Sequence, residues 1–183
     1  MSRGSTFVLA SLLALLVWSA APTEAEAQGY FGVGVGPALR IDDWPNQVHI
    51  EAELGYYFSG RANGFFIAFA PTQSWGDEFW VLRFPFRLGG MINIVRQRDF
   101  TFQLGPTGTI GFAASDHFDN RRDPDPWFHL SIAFMLRFLV ANERIAFYIK
   151  PAELEFAIGD TGGGWYGNEA VRYILTGGAQ FYF

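Results

Sequence analysis

Residues 127–140 read WFHLSIAFMLRFLV, a segment in which polar residues are interspersed among large apolar ones. Large apolar side chains occupy every second position, while His129, Ser131 and Arg137 lie between them. Alternation with a period of two is typical of a β-strand with one apolar face. A strand of about 9–11 residues is long enough to cross a bilayer when it is tilted. The apolar positions are Phe128, Leu130, Ile132, Phe134, Leu136 and Phe138.

The same alternation recurs outward from this stretch and predicts eight strands. In the seventh strand the parity of the apolar residues flips near Pro151, which predicts a β-bulge. The predicted strands are Tyr30–Ile41, Val48–Phe58, Gly64–Ala70, Glu78–Val95, Phe100–Ala114, Trp127–Val140, Arg144–Ile158 and Ala170–Phe183.

The distribution of side chains between the two strand faces indicates which face meets lipid. One face carries large apolar residues, and the other carries Gly, Ala, Thr and ionised groups. A soluble barrel needs the opposite arrangement, with its bulky apolar side chains inside. The bulky face is too continuous to lie in water, and facing lipid it fits a membrane barrel.

The lengths of the connections support the same fold. Medium or long connections at 41–47, 71–77, 115–126 and 159–169 alternate with short ones at 59–63, 96–99 and 141–143. Short turns at one end and longer loops at the other are typical of outer-membrane barrels. The predicted fold class is therefore all-β, an eight-stranded antiparallel up-and-down transmembrane β-barrel with both termini at the short-turn end.

Composition excludes several functional classes. The chain of 183 residues contains 20 Phe and no Cys, so it has no disulfide framework, Cys-ligated zinc or thiol nucleophile. Its formal net charge of -5 argues against nucleic-acid binding. Charged residues make up 17 % of the chain, below the usual quarter.

The first 27 residues have the three parts of a secretory signal. Arg3 supplies a positive charge, Phe7–Val17 is an apolar segment, and Ala25-Glu26-Ala27 is an A-x-A cleavage site. The predicted domains are a signal peptide at 1–27 and a barrel at 28–183. A retained N-terminal anchor helix is the alternative interpretation.

Tryptophans cluster in or beside the longer connections. Indole rings prefer the membrane–water interface, so these residues predict half of an aromatic girdle. Hydrophobic lids on a soluble barrel are the alternative. The five residues are Trp44, Trp75, Trp80, Trp127 and Trp165.

The last segment, Tyr173–Phe183, ends in alternating aromatic residues that include Phe181 and Phe183. It resembles the terminal strand of bacterial outer-membrane proteins, and the chain as a whole resembles the small eight-stranded barrels of the OmpA/OmpX-like group. The resemblance implies a monomer in the cell outer membrane. It also implies assembly by the barrel-assembly machinery and contact with outer-membrane lipid and lipopolysaccharide. It brings no catalytic residues, cofactor or metal with it.

Charged side chains on the inward faces predict a polar lumen. Predicted hairpin pairing places Arg40 near His49, with Glu51 and Glu53 facing Ala38 and Gly36. It also places His129 near Glu155 and Ser131 near Glu153. Because an eight-stranded barrel is narrow and buried charges need partners, an Arg/Glu network is expected to plug it. The predicted network is Arg40, His49, Glu51, Glu53, Arg83, Arg87, His129, Arg137, Glu153, Glu155 and Arg172.

The sequence favours a structural or surface-interaction role without enzymatic activity, and it leaves three alternatives open. One is a small pore or transporter for a small or apolar solute. Another is a lipid hydrolase, because His129-Leu130-Ser131 resembles the His-x-Ser pair of outer-membrane lipid A deacylases, with Glu153 or Glu155 as the third group. Its predicted position in the lumen argues against this. The third is a secreted soluble binding barrel.

Acidic residues at Asp119–Asp125 are the best candidates for weak calcium binding.

Overall fold

The structure is a computed structural model that describes residues 29–40, 46–58, 63–76, 79–117, 125–158 and 171–183. The predicted signal peptide lies outside the described residues. The strands are β1 Gly29–Arg40, β2 Gln47–Tyr57, β3 Gly64–Phe69, β4 Thr72–Trp75, β5 Phe79–Arg96, β6 Thr101–His117, β7 Asp125–Val140, β8 Ile145–Ile158 and β9 Val171–Tyr182.

All eight predicted strands form, but the third continues beyond its predicted end. Strand β4 covers most of the predicted connection at 71–77, so that part of the prediction is wrong. Pro71 interrupts the ladder because it has no N–H to donate. Its carbonyl accepts a hydrogen bond from the Ala52 amide at 2.9 Å, and the Ala70 amide donates to Pro85 O at 3.0 Å. These bonds hold β3 and β4 in one position between β2 and β5.

The sheet closes on itself. Every hydrogen-bonded pair of strands is antiparallel, and β1 pairs with both β2 and β9. At the seam the Gly29 amide donates to Phe183 O at 3.1 Å, and the Phe183 amide donates to Gly29 O at 3.0 Å. With β3 and β4 sharing one position, the barrel has eight positions, as predicted.

The register of the first hairpin differs from the prediction. His49 lies opposite Gly36 instead of Arg40, while Glu51 and Glu53 lie opposite Gly34 and Gly32. The predicted pairing placed the turn near Trp44 and Pro45, and the observed register centres the hairpin two residues earlier. Parity is unchanged because the offset is even, so the same side chains still face inward.

The β7–β8 hairpin is also offset, by two residues. Ser131 pairs with Glu155, and Ala133 pairs with Glu153, so the predicted pairing of His129 with Glu155 is wrong. A four-residue turn at 141–144 contributes one residue of this offset. The register shift between Phe134 and Leu136 contributes the other. The shift on β8 lies between Lys150 and Glu153, which confirms the bulge predicted near Pro151.

The two faces of the wall have opposite character. Alternation assigns the outward positions correctly along the strands, and the inward positions are buried and largely polar. Within the described ranges, no helix is long and apolar enough to cross a membrane. Exposed apolar side chains include Val48, Ile50, Leu54, Phe84, Phe86, Leu88, Ile110, Phe112, Ile132, Phe134, Phe138 and Phe147.

The lumen as the candidate functional site

The centre of the lumen is organised around Glu51 on β2. This carboxylate is 1 % exposed and accepts hydrogen bonds from Arg87 Nη2 at 2.9 Å, Lys150 Nζ at 2.7 Å and Tyr148 Oη at 2.5 Å. Glu53 accepts from Arg87 Nη1 at 2.6 Å and from the Tyr30 hydroxyl. One guanidinium therefore bridges two carboxylates on the same strand, a geometry that its fork of donors allows.

A second branch runs from Lys150 along the wall formed by β8, β7 and β6. Lys150 Nζ lies 2.7 Å from Glu153 Oε2, and Glu153 accepts from Ser131 Oγ at 2.6 Å. Ser131 Oγ lies 2.5 Å from Thr109 Oγ1. In a regular strand, residues three apart point to opposite faces. The bulge at Pro151 turns both Lys150 and Glu153 inward, so that they can pair.

Several of the ion pairs cross the lumen between strands that are not neighbours. The Glu51–Lys150 pair joins β2 to β8, across the positions of β1 and β9. The Arg83–Glu155 pair, with 2.8 Å between Nε and Oε1, joins β5 to β8 across β6 and β7. The buried charges therefore act as ties between opposite walls, in addition to the backbone ladders.

Toward the long-loop end the lumen holds a smaller polar cluster. Arg83 Nη1 donates to Ser74 Oγ at 2.9 Å, and His49 Nδ1 lies 3.1 Å from the same oxygen. His49 Nε2 is 3.8 Å from Glu51 Oε2. His129 is also buried at this end of the barrel.

Toward the short-turn end, Arg137 is surrounded by aromatic and amide groups. It donates to the hydroxyls of Tyr57 and Tyr182 and, through Nε, to Gln103 Oε1 at 2.8 Å. Its guanidinium carbon lies 5.0 Å from the centre of the Tyr57 ring and 5.6 Å from that of Tyr182. These are cation–π distances. The Tyr30 ring packs against Tyr57 with 5.4 Å between centroids and extends the cluster across the lumen.

Most of the predicted lumen residues are brought together, and several contributors were missed. Arg40 and Arg172 are register partners on β1 and β9, but their side chains lie outside the described part of the structure. The remaining predicted network residues are all buried. Tyr30, Ser74, Tyr148 and Lys150 were not predicted. Strand parity already assigns Tyr30, Tyr148 and Lys150 to the inward face, so that signal was present in the sequence.

The three tryptophans in the described part of the barrel differ in burial and orientation. Trp127 is 3 % exposed and shares the inward face with His129 and Ser131, so it differs from the predicted interface position. The parity that turns Phe128 outward requires Trp127 to face inward. Trp75 and Trp80 are half-buried register partners at the β4–β5 turn. Trp44 and Trp165 lie outside the described residues.

The predicted hydrolase, calcium and assembly residues remain to be located in the structure. Ser131, the serine of the His-x-Ser pair, is 2 % exposed and held by Glu153 and Thr109 inside the lumen. Among the described residues, no group of three His, Cys, Asp or Glu side chains could hold a metal ion. The acidic segment from Asp119 lies almost wholly outside the described residues. Phe181 and Phe183 are exposed on the outer wall beside β1, and their role in assembly stays a prediction.

Glycines on the inward face make room for tyrosine rings. A Cβ at Gly34 would overlap the Tyr148 hydroxyl and lie 2.9 Å from Thr176 Cγ2. A Cβ at Gly178 would lie 2.7 Å from the same tyrosine ring, and one at Gly55 would overlap the Tyr30 ring. The space above Gly34 of β1 is therefore filled by Tyr148 and leaves no open path beside the charges there.

Gly34→Ala is therefore expected to destabilise the folded barrel by about 1–3 kcal/mol, the usual cost of overpacking. Gly177→Ala is the matched control, because a Cβ there would meet its nearest atom, Tyr148 O, at 3.8 Å. Urea unfolding in lipid vesicles measures both changes. Equal stability of the two variants would mean that Tyr148 does not fill the space above Gly34.

The comparisons with known proteins identify the fold alone. No protein-family model matches the chain, and no curated protein matches it. Among solved structures, the chain is similar to Neisserial surface protein A, with 11 % identity and a TM-score of 0.58 over 87 % of this chain and 98 % of that one. It is also similar to the N-terminal β-barrel domain of Pseudomonas aeruginosa OprF, with 11 % identity and a TM-score of 0.53 over 86 % of this chain and 99 % of that one. The chain has the fold of the small eight-stranded outer-membrane barrels.

Proposed function

We propose that the protein is an integral barrel of the bacterial outer membrane with a structural or surface-interaction role and a closed lumen. The observation that carries this proposal is the reversed polarity of its wall, which is apolar outside and ionic inside. Fold alone assigns no function, so the argument rests on these two surfaces.

The outer surface supports a lipid environment. Side chains such as Phe112, Phe134 and Phe147 are exposed by more than half and form part of a band around the wall. A contiguous apolar surface of this kind is not stable in water. In a bilayer it takes the place of the lipid-facing band of outer-membrane barrels. The short turns then face the periplasm and the longer connections face the cell exterior.

The inner surface supports a closed barrel. Glu51, Glu53, Arg83, Arg87 and Lys150 are all buried and paired across the lumen. The interior of an eight-stranded barrel is only about wide enough for its own side chains. A water-filled path would have to separate these pairs, and each buried charge would then lose its partner. The lumen charges therefore favour a structural role over conduction, and surface interactions are left to the outer loops.

Purified protein in planar lipid bilayers is expected to show no steady conductance above the leak of the lipid. The physical reason is that the ion pairs from β2 and β5 to β8 cross the lumen. The variant Glu51→Gln, which loosens the central pairs, is the comparison in which transient leak is expected. A reproducible, ion-selective current from the unmodified protein would contradict the proposal and favour the pore.

A further inference from the structure

A cavity lies at the short-turn mouth of the barrel, outside the charge network that closes the lumen. It has a volume of about 390 Å³ and lies between the β5–β6 turn and the β7–β8 turn. Its size falls within the range of sites for small molecules. The lining includes Arg96, Arg98, Thr101, Leu139 and Glu143. In the proposed orientation this mouth opens to the periplasm.

Strand β5 carries its arginines to this mouth by a local irregularity. The pairing of β5 with β3 ends at Met91, while its pairing with β6 continues to Arg96. A register shift between Asn93 and Val95 aligns Arg96 with the buried Thr101. The bulge therefore directs Arg96 toward the barrel axis, whereas uninterrupted alternation from the inward Met91 would have turned it outward.

The opposite side of the cavity is formed by a strained turn. Ala141, Asn142 and Glu143 have φ values of 53°, 58° and 65° in succession. Residues other than glycine adopt this left-handed backbone conformation at a cost in free energy, and such positions cluster at functional sites. The turn places Glu143 Oε1 at 3.2 Å from Arg96 Nη2 and 3.3 Å from Thr101 Oγ1.

The chemistry of the lining selects a class of ligand. Arg96 keeps 54 % of its side chain exposed while it contacts Glu143, so its guanidinium still has donors available to a carboxylate. Asp99 and Glu143 in the same cavity would repel a doubly charged phosphate more strongly than a singly charged carboxylate. They would, however, accept hydrogen bonds from peptide N–H groups. Phe100, which is half-buried, adds apolar surface for a terminal side chain.

We propose that this cavity binds the free carboxyl terminus of a peptide. The carboxylate is held by Arg96 and Arg98, and the preceding peptide N–H groups are accepted by Glu143 and Asp99. The Arg96-Gln97-Arg98 cluster, which the lumen network does not use, thereby acquires a role in recognition.

The test uses the full barrel in lipid nanodiscs, titrated with the tripeptide Ala-Ala-Ala and followed by amide chemical shifts in NMR spectra. Saturable shifts are expected at the turns 97–100 and 141–144. The C-terminally amidated tripeptide is expected to bind about tenfold more weakly or worse, since a charge-assisted pair is lost. This comparison uses only the unmodified protein, so it does not depend on whether a variant folds.

Arg96→Gln is expected to weaken binding of the free tripeptide to a similar extent. Arg144→Gln is the matched control, because this exposed arginine follows the strained turn but does not line the cavity. It is expected to change affinity by less than about twofold. Shifted mobility on unheated gels shows that each variant is folded.

Three results would overturn the inference. They are the absence of saturable shifts at the two turns, equal binding of the free and amidated tripeptides, and equal weakening by Arg96→Gln and Arg144→Gln. Inorganic phosphate serves as a competitor, and tighter binding of phosphate than of the tripeptide would assign the cavity to small anions instead. None of these results bears on the conductance of the lumen, so the two proposals fail separately.

Discussion

Glu51→Gln is expected to destabilise the barrel by about 3–5 kcal/mol, the usual cost of removing one partner from a buried ion pair. The carboxylate of Glu51 is the acceptor for both Arg87 and Lys150. An amide of the same shape keeps the packing but leaves two buried cations with less compensation. Arg87 retains Glu53, and Lys150 retains Glu153, which limits the loss.

Urea unfolding in lipid vesicles, followed by tryptophan fluorescence, measures this loss. Glu143→Gln is the control, because the Arg96–Glu143 pair is partly exposed and such pairs contribute about 0–1 kcal/mol. If Glu51→Gln were as stable as the control, the central pairs would not hold the barrel together. The closed-lumen proposal would then lose its energetic basis.

Phe134→Arg is expected to destabilise the barrel by about 2–4 kcal/mol in a bilayer, because the substitution places a charge on the lipid-facing wall near mid-depth. Phe134 is 59 % exposed near the middle of β7. It pairs with Pro106 on β6 and with Ala152 on β8. The cost arises from solvation of the guanidinium in hydrocarbon and not from a clash, since the position is exposed.

The same substitution at the edge of the apolar band is the matched control. Phe65 is 78 % exposed and lies one residue from the start of β3 at the short-turn end. Phe65→Arg is expected to cost about 0–1 kcal/mol, because the penalty falls toward the membrane interface. Equal costs at both positions, measured by unfolding in vesicles, would show that the wall does not lie across a bilayer at the proposed depth.

Alternation of residue type predicted the fold because it reports a property local to each strand. Which side chain faces lipid depends only on parity, so Phe134, Glu51 and Arg87 could be placed without knowledge of their neighbours. The inward set of charges was predictable for the same reason. Parity also places Lys150 and Trp127 on the inward face, but the predicted lumen network did not include them.

Pairing partners were less predictable because register depends on turn geometry and bulges. A pattern of period two is unchanged by a shift of two residues, so it cannot show that Glu155 lies opposite Ser131 in the register. The predicted proximity of Ser131 and Glu153 is nevertheless confirmed by their hydrogen bond. The continuation of the third strand past Pro71 was hidden for a different reason. Thr72–Trp75 is polar and flanked by Pro and Gly, and only its two neighbouring strands make it part of the sheet.

The ties across the lumen have a consequence for how the barrel is assembled. Neighbouring strands can pair one hairpin at a time, but the Glu51–Lys150 pair joins strands that meet only through the β1–β9 seam. Before the seam closes, an open sheet would expose these charges to lipid without partners, which is costly. The charged residues that stabilise the closed barrel are therefore expected to destabilise half-inserted intermediates. The interior charges are thus expected to couple insertion to closure, so that β1 and β9 pair as the barrel enters the membrane.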